Sequence, residues 1–360
     1  MSKLKVLELF AGIGAVSKAL TKLGIDFEIV DAVEIDKYAI KSFNAIHNTN
    51  FLPQDICEWD KDIEVDLITH GSPCQSISLA GLQHGADKGS GTRSSLMWET
   101  VRIVEKLKPK YVIWENVKNL LSKKHRHNFD AYLETMESLG YTNNYQVLNA
   151  KDYGIPQNRE RVFTISIRKD IDKGYSFPGP QELKLRLKDM LENEVDGKYY
   201  LSDKMIEYIS ANNEKWTGNN DKSLINKTIA SAINTGEGQR RCDASNYISD
   251  DADENCNIKE LFKIYPKRHS SLANSVLDFE GISPALDTMS GGNRQPKVLV
   301  NLRIRKLTPK ECWRLMGFDD EDFEKASKVN SNTQLYKQAG NSIVVNVLVA
   351  IFKNLFKEND

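Results

Sequence analysis

The chain has 360 residues, 40% of them hydrophobic, with 49 lysines and arginines against 50 aspartates and glutamates. That length can build two packed domains, but it lacks the basic excess of many nucleic-acid binders, so such binding must rest on local patches. Five cysteines with no C-x-x-C pair argue against a disulfide framework or a zinc site, and the lack of a signal-peptide layout or membrane-length apolar run reads as a soluble, cytoplasmic chain that needs no membrane and no metal.

Leu4 to Phe10 reads as a strand, and Val16, Ala19, Leu20 and Leu23 repeat at helical spacing until Gly24 stops them. Between them lies Phe10-Ala11-Gly12-Ile13-Gly14. Glycines at such a turn let a ligand approach the backbone at the N-terminus of the helix. Ile29 to Ile35 is a second strand, with Glu34 placed to accept hydrogen bonds from ribose hydroxyls. Ser17 stands where the third glycine of a dinucleotide fingerprint would be. A nucleoside cofactor without a pyrophosphate therefore fits better than a dinucleotide, and a plain strand–helix turn stays open. Asp55, after Pro53-Gln54, is a second acid suited to an adenine amino group, although taken singly it reads as a turn residue.

Val65 to Thr69 is a further strand, ended by Gly71-Ser72-Pro73. Cys74 follows where the chain leaves the sheet, which is where α/β proteins place their chemistry. Met97, Val101 and Val104 mark a helix, followed by the strand Tyr111 to Trp114 with Glu115 at its end. Phe129, Tyr132, Leu133, Met136 and Leu139 form another helix, closed by Gly140. Arg159 and Arg161 stand just before the strand Val162 to Ile167. Strands alternating with helices imply an α/β fold with a doubly wound, largely parallel sheet.

The alternation breaks near Phe177-Pro178-Gly179-Pro180, and the chain stays polar and irregular to about residue 300. This reads as a second, smaller domain. Arg294, Lys297, Arg303, Arg305, Lys306, Lys310 and Arg314 then surround a single Glu311, which suits either a solvated face or a nucleic-acid contact. Gln338 to Ser342 opens a last helix, whose face of Val344, Val347, Leu348, Ile351, Phe352 and Leu355 should return to the first domain. The expected division is 1–176 with 335–360 as one discontinuous domain and 177–334 as the other. Each polar candidate has a plain alternative: Glu115 and Asn341-Ser342 as helix caps, Arg159 and Arg161 as surface charges. Together with Cys74 they gather a nucleophile, an acid and anion donors at one end of a sheet.

The order FAGIG, VEID, SPCQ, WENV, QNRERV, RKLTPKECWRLMGF and QAGNS resembles the DNA cytosine-5 methyltransferases over roughly residues 4 to 168 and 303 to 352. GTRSSLMWE, residues 91 to 99, is similar to the family's active-site loop running into its next helix. Two positions depart from the pattern: Ser72, where proline or a bulky residue is common, and Ile35, where an aromatic often stacks on adenine. The resemblance implies a Rossmann-like domain binding S-adenosyl-L-methionine and a target-recognition domain acting on double-stranded DNA. In that reading Cys74 adds to cytosine C6, Glu115 protonates N3, and Arg161 holds O2 with the help of Arg159. The cofactor would be bound by Phe10, Gly12, Gly14, Glu34, Ile35, Asp55, Ile56, Gly71, Pro73, Leu96, Asn341 and Ser342. DNA would be met by Gln75, Ser78 and Arg93 of the glycine-containing loop, by Thr288 and Gly291 of a recognition element, and by Arg303 and Arg305 leading into a basic helix over 305–318. A monomer is expected, with a cognate restriction endonuclease as a partner that the sequence leaves open. The rival readings are a tRNA cytosine-5 methyltransferase, a catalytically inactive DNA-binding relative and a dehydrogenase. The last leaves SPCQ and WENV unexplained.

Overall fold

The structure is a computed structural model that describes residues 3–73, 93–202, 260–263, 275–278, 280–288, 295–300 and 303–356. Its main sheet joins β1 (Leu4–Leu9), β2 (Phe27–Val33), β3 (Leu67–His70), β4 (Tyr111–Val117), β5 (Tyr141–Asn149) and β7 (Glu160–Arg168) in the order β2-β1-β3-β4-β7-β5. The first four strands in that order are parallel, and β7 runs against both of its neighbours. Reversing β7 brings its first residues to the sheet end where the parallel strands finish.

Alternation along the strands feeds two cores. Val6, Leu67, Ile113 and Ile165 point to the face covered by α1 (Ala15–Lys22) and α8 (Val345–Leu355). Leu7, Leu9, Ile68, Val112 and Trp114 point to the face covered by α3 (Met97–Leu107) and α4 (Arg126–Ser138). A strand buried on both faces needs a nearly continuous apolar run, and LKVLEL departs from it only at Lys5 and Glu8. The helix α2 (Lys37–His47) begins at Asp36, whose carboxylate accepts from the Tyr38 N–H at 2.9 Å, and seats Ile40 and Phe43 against Ala32. The segment Asn332–Leu355 is apolar enough to pass for a membrane span by composition. It is instead two helices, α7 (Asn332–Asn341) and α8, separated at Ser342–Val344 and packed largely inside the protein.

A smaller sheet orders β12 (Arg303–Lys306), β11 (Lys297–Val300), β9 (Ser275–Leu277) and β8 (Glu260–Lys263) side by side. A two-stranded ladder pairs β6 (Gln157–Asn158) with β10 (Ser283–Pro284), tying this part of the chain to the approach to β7. The stretch expected as one basic helix divides in two. Arg303–Lys306 is a strand, and α5 (Pro309–Arg314) starts at a capping box in which Thr308 and Glu311 satisfy each other's backbone N–H groups. Lys310 and Arg314 pair with Asp320 at the start of α6 (Asp320–Ser327), and Lys297 is buried. Much of this basic run is therefore structural rather than a solvated or DNA-facing surface. Likewise, Gln338–Asn341 closes α7 and does not open the final helix.

Candidate active site at the strand ends

The glycine loop leaves β1 through Phe10, Gly12 and Gly14, all in the left-handed region with φ of 53°, 56° and 80°. For Phe10 this is a strained conformation that the surroundings must hold. The two glycines serve different needs. A Cβ on Gly14 would lie 2.1 Å from the His47 ring, so Gly14 lets α2 close against the loop. A Cβ on Gly12 would meet nothing within 4 Å, so Gly12 faces open space. Its N–H donates to Glu34 Oε2 at 3.0 Å, and the Asp36 N–H donates to Oε1 at 2.8 Å. Burial raises the Glu34 carboxyl above its ordinary pKa, and these two N–H donors pull the other way. Each oxygen keeps a second lone pair for a hydroxyl.

Beside Glu34, Ile35 is 68% exposed although it is a large apolar residue. The Gln54 N–H bonds the Glu34 carbonyl at 2.9 Å, which brings Asp55 and the buried Ile56 alongside the same strand end. Asp55 accepts from the Cys57 N–H at 2.9 Å. Leu96 is half-buried at the end of the turn Arg93–Leu96, packed on the α3–α4 core. Open backbone at Gly12, an acid ready for paired hydroxyls and an exposed aliphatic surface fit a nucleoside. Among the described residues no further glycine adjoins this loop for a pyrophosphate, and the Ser17 N–H in the first turn of α1 is already engaged. There the buried Glu8 accepts from both the N–H and the hydroxyl of Ser17.

The candidate acid and guanidinium lie further along the sheet, beyond β3. Glu115 is in β4 and Arg161 in β7, and the register pairs Glu115 with Phe163 and Val117 with Arg161. The two functional side chains are thus diagonal neighbours on one face. Arg161 Nε stands 3.1 Å from Glu115 Oε1, with the side chains 20% and 13% exposed. A Cβ on Gly71 would lie 3.7 Å from Glu115 Oε2 and 3.8 Å from Ile343 Cδ1. The end of β3 therefore touches both the acid and the α7–α8 junction. Ser72 is buried and Pro73 half-buried. Cys74, Gln75, Ser78 and Gly291 lie outside the described residues, and for Arg93 and Arg303 only the backbone is described.

Two arginines fall elsewhere than expected. Arg159 is buried: its Nη1 donates to the Leu286 carbonyl at 2.8 Å, and its Nη2 to the carbonyls of Gly340 and Ser342 at 3.0 Å each. It fastens chain segments together and does not share the position of Arg161. Arg305 is 2% exposed and binds the fully buried Glu311 through two hydrogen bonds of 2.8 and 2.7 Å, which excludes it as a DNA contact. A guanidinium enclosed with its carboxylate has no face left for a phosphate.

Of the remaining candidates, Asn341 is exposed, Ser342 is buried and Thr288 is half-buried. Gly340, which precedes Asn341 and lies against Asp287 and Thr288, was not among the residues the sequence pointed to. A Cβ there would lie 1.8 Å from the Asp287 carbonyl oxygen, so only glycine lets α7 meet the Leu286–Thr288 segment. Gln157 reinforces this junction, donating to the Leu315 carbonyl at 2.8 Å and accepting from the Leu286 N–H at 3.3 Å. A lone acid in an apolar strand (Glu8) and a glycine inside a helix (Gly340) were the available sequence signals for these positions.

The family model for C-5 cytosine-specific DNA methylase matches residues 4–357. The type II methyltransferase M2.ScrFI of Lactococcus lactis subsp. cremoris is 35% identical, over 98% of this chain and 99% of that one. The orphan methyltransferase M.Rho11sI of Bacillus phage rho11s is 32% identical, over 99% and 98%. Among solved structures, Spodoptera frugiperda DNMT2 (a mutant form) superposes with a TM-score of 0.66 at 18% identity, covering 99% of this chain and 100% of that one. The Schizosaccharomyces pombe Dnmt2 methyltransferase gives 0.62 at 19% identity, covering 98% and 97%. These last two likenesses bear on the fold.

Proposed function

The chain belongs to the C-5 cytosine-specific DNA methylases, and from that membership we propose the working parts of its site: Cys74 as nucleophile, Glu115 as acid, Arg161 as the oxygen clamp, and the pocket at Gly12, Glu34 and Ile35 for S-adenosyl-L-methionine. The observation that carries this reading is the Arg161–Glu115 pair at 3.1 Å beside Gly71. Cytosine presents N3 and O2 on adjacent atoms. A carboxyl and a guanidinium held side by side match that edge, one for each atom.

Cytosine C5 is too weakly nucleophilic to attack a sulfonium methyl directly. A thiolate adding from Cys74 to C6 pushes electrons toward C5, while Glu115 delivers a proton to N3 and Arg161 offsets charge at O2. The bound cofactor supplies the electrophilic methyl group that C5 takes. Loss of the C5 proton to solvent water then allows the C6–sulfur bond to break, returning Cys74 as a thiolate, and N3 gives its proton back to Glu115. On the cofactor side, Glu34 would take the ribose hydroxyls, Ile35 and Ile56 would flank the base, and Asp55 would lie near its amino group. Because C5 and C6 lie inside the stack of a duplex, the target must be flipped out of double-stranded DNA. Target choice falls to the smaller part of the chain, roughly 180 to 300, through contacts to base edges.

Relatives from a bacterium and a phage support a place in the cytoplasm of a bacterial or phage-infected cell, and a monomer is the state proposed with it. One of these relatives is named a type II enzyme and the other an orphan, so a cognate restriction endonuclease is a separate question. The decisive test uses duplex DNA with 5-fluorocytosine at the target site, mapped first by bisulfite sequencing. Fluorine cannot leave as a proton does, so a covalent complex should accumulate with the parent protein and be absent with Cys74→Ala. An adduct formed by the variant would remove Cys74 from the mechanism. Methylation of tRNA in place of DNA would move the substrate to RNA.

A further inference from the structure

Trp114 and Asn116 flank Glu115 in β4, and both reach across to the residue where the nucleophile's segment begins. Trp114 Nε1 donates to Ser72 Oγ at 3.0 Å, and Asn116 Nδ2 approaches the Ser72 carbonyl and hydroxyl at 3.4 Å each. All three residues are buried. The indole itself is fixed on several sides. The His70 ring stacks on it with centroids 5.5 Å apart and planes 4° from parallel, and Tyr132 packs at 4.3 Å. Tyr132 is tied back to His70 Nε2 at 3.2 Å. An indole N–H on a plate held this way has one direction in which to donate, and Ser72 supplies the acceptor.

We propose that the Trp114–Ser72 hydrogen bond is a positioning device for the thiol, so that the strand bearing the acid also sets where the nucleophile starts. The inference rests on the reading of Cys74 and Glu115 given above. Cys74 is two residues beyond Ser72, at most about 7.6 Å away between Cα atoms. The intervening Pro73 has φ restricted to about −65°, removing one of the soft torsions between them. Fixing Ser72 therefore limits the positions open to Cys74. Because Trp114 precedes Glu115 directly, the strand that carries the acid also holds Ser72. Trp114 and Ser72 touch no reacting atom in this scheme; they act through Cys74.

The test compares Ser72→Ala, Trp114→Phe, their combination and Ser72→Thr in the full-length protein. The rate of covalent trapping on 5-fluorocytosine DNA is measured together with kcat, the KM for DNA and the affinity for S-adenosylmethionine. Ser72→Ala and Trp114→Phe should each slow trapping and kcat about tenfold, in keeping with one lost hydrogen bond. KM and cofactor affinity should stay within about twofold. The double variant should be no slower than the slower single, since both remove the same bond, and Ser72→Thr should restore the rate. Parental trapping by Ser72→Ala would overturn the proposal, as would a double variant whose losses multiply or a loss confined to KM. Should Trp114→Phe not fold, the Ser72→Ala and Ser72→Thr pair decides the matter alone. Failure of the parent protein to trap DNA at all would strike the catalytic reading instead.

Discussion

The end of the main sheet and the turn from β12 into α5 each hold an arginine beside a glutamate, and the two pairs serve opposite ends. Arg305 meets Glu311 through two short hydrogen bonds with both side chains almost wholly enclosed. Glu311 also accepts the N–H groups of Thr308 and Glu192 at 2.8 Å each, so its lone pairs are taken up within the protein. Arg161 meets Glu115 through Nε alone, with both side chains partly open to solvent. Its Nη1 turns to the neighbouring Glu160 carbonyl at 2.7 Å. The saturated pair is a fastener; the unsaturated pair keeps donors and acceptors available to a ligand. Residue type is the same in both, and what differs is how much hydrogen-bonding capacity the fold leaves unused.

That contrast can be broken by disabling each pair in turn. Glu115→Gln keeps the shape and loses the proton, so kcat should fall roughly 10²- to 10⁴-fold while the thermal midpoint of unfolding barely moves. A large stability loss with modest kinetic change would place Glu115 among the fasteners. Arg305→Ala leaves a buried carboxylate without its cation and should cost about 3 to 5 kcal/mol of stability in urea unfolding. Activity per folded molecule should be retained. Weakened DNA binding by Arg305→Ala at unchanged stability would return that residue to the DNA contacts.

A third carboxylate, the buried Glu8, sharpens the comparison because hydroxyl and N–H donors serve it where a cation serves the others. Burial pushes the Glu8 carboxyl up to about 7, against hydrogen bonds from Ser17. Between the ordinary carboxyl value of 4.5 and about 7 the folded chain holds a proton that the unfolded chain releases. Stability should therefore fall as pH rises through that window, by about 3 kcal/mol in all, and level off above it. Glu8→Gln should flatten the fall, read as urea midpoints measured at about pH 5 and about pH 8. A variant with the parent's slope would show that Glu8 is not the group responsible. The smallest effect belongs to the pocket proposed for the cofactor. Glu34→Ala should weaken S-adenosylmethionine binding by about 1 to 3 kcal/mol in calorimetry and leave DNA affinity without cofactor nearly unchanged.

What could be read from the sequence was what short-range pattern encodes. The β1–loop–α1 unit, the strand leading to Glu34, the strand bearing Glu115, and the apolar face of α8 all announce themselves by spacing within a dozen residues. The α/β fold followed from them. The edge strand β5 did not, because Thr142, Asn143 and Asn144 carry too much polarity for an alternating pattern. The helix α2 was legible in principle, since Ala39, Ile40, Phe43 and Ile46 have helical spacing after the cap Asp36. Arg305 was misjudged because a basic side chain says nothing of where its counter-charge lies. Glu311, the one acid in that run, was the clue, and Thr308-Pro309 before it marked the helix start. Arg159 and Arg161 look alike in QNRER, yet standing two residues apart did not give them a common role. Arg159 is held by three carbonyls, whereas Arg161 meets Glu115. Nothing local encodes that difference, since the carbonyls belong to residues more than a hundred positions away.

If the smaller part of the chain chooses the target, as proposed, the contact between Gly340 and the Asp287 carbonyl bears on how this protein could acquire a new target site. Leu286 to Thr288 is seated from three directions, by the Arg159 guanidinium, by Gln157 and by the bare backbone of Gly340. A specificity cassette borrowed from a relative would therefore have to arrive with a backbone that fits this seat, whatever bases it reads. Seams placed inside Leu286–Thr288 should yield chimaeras that fold poorly. Seams that leave this tripeptide with its resident partners free the remainder of the segment to vary. One glycine thus marks the border between what shuffling can change and what it must preserve.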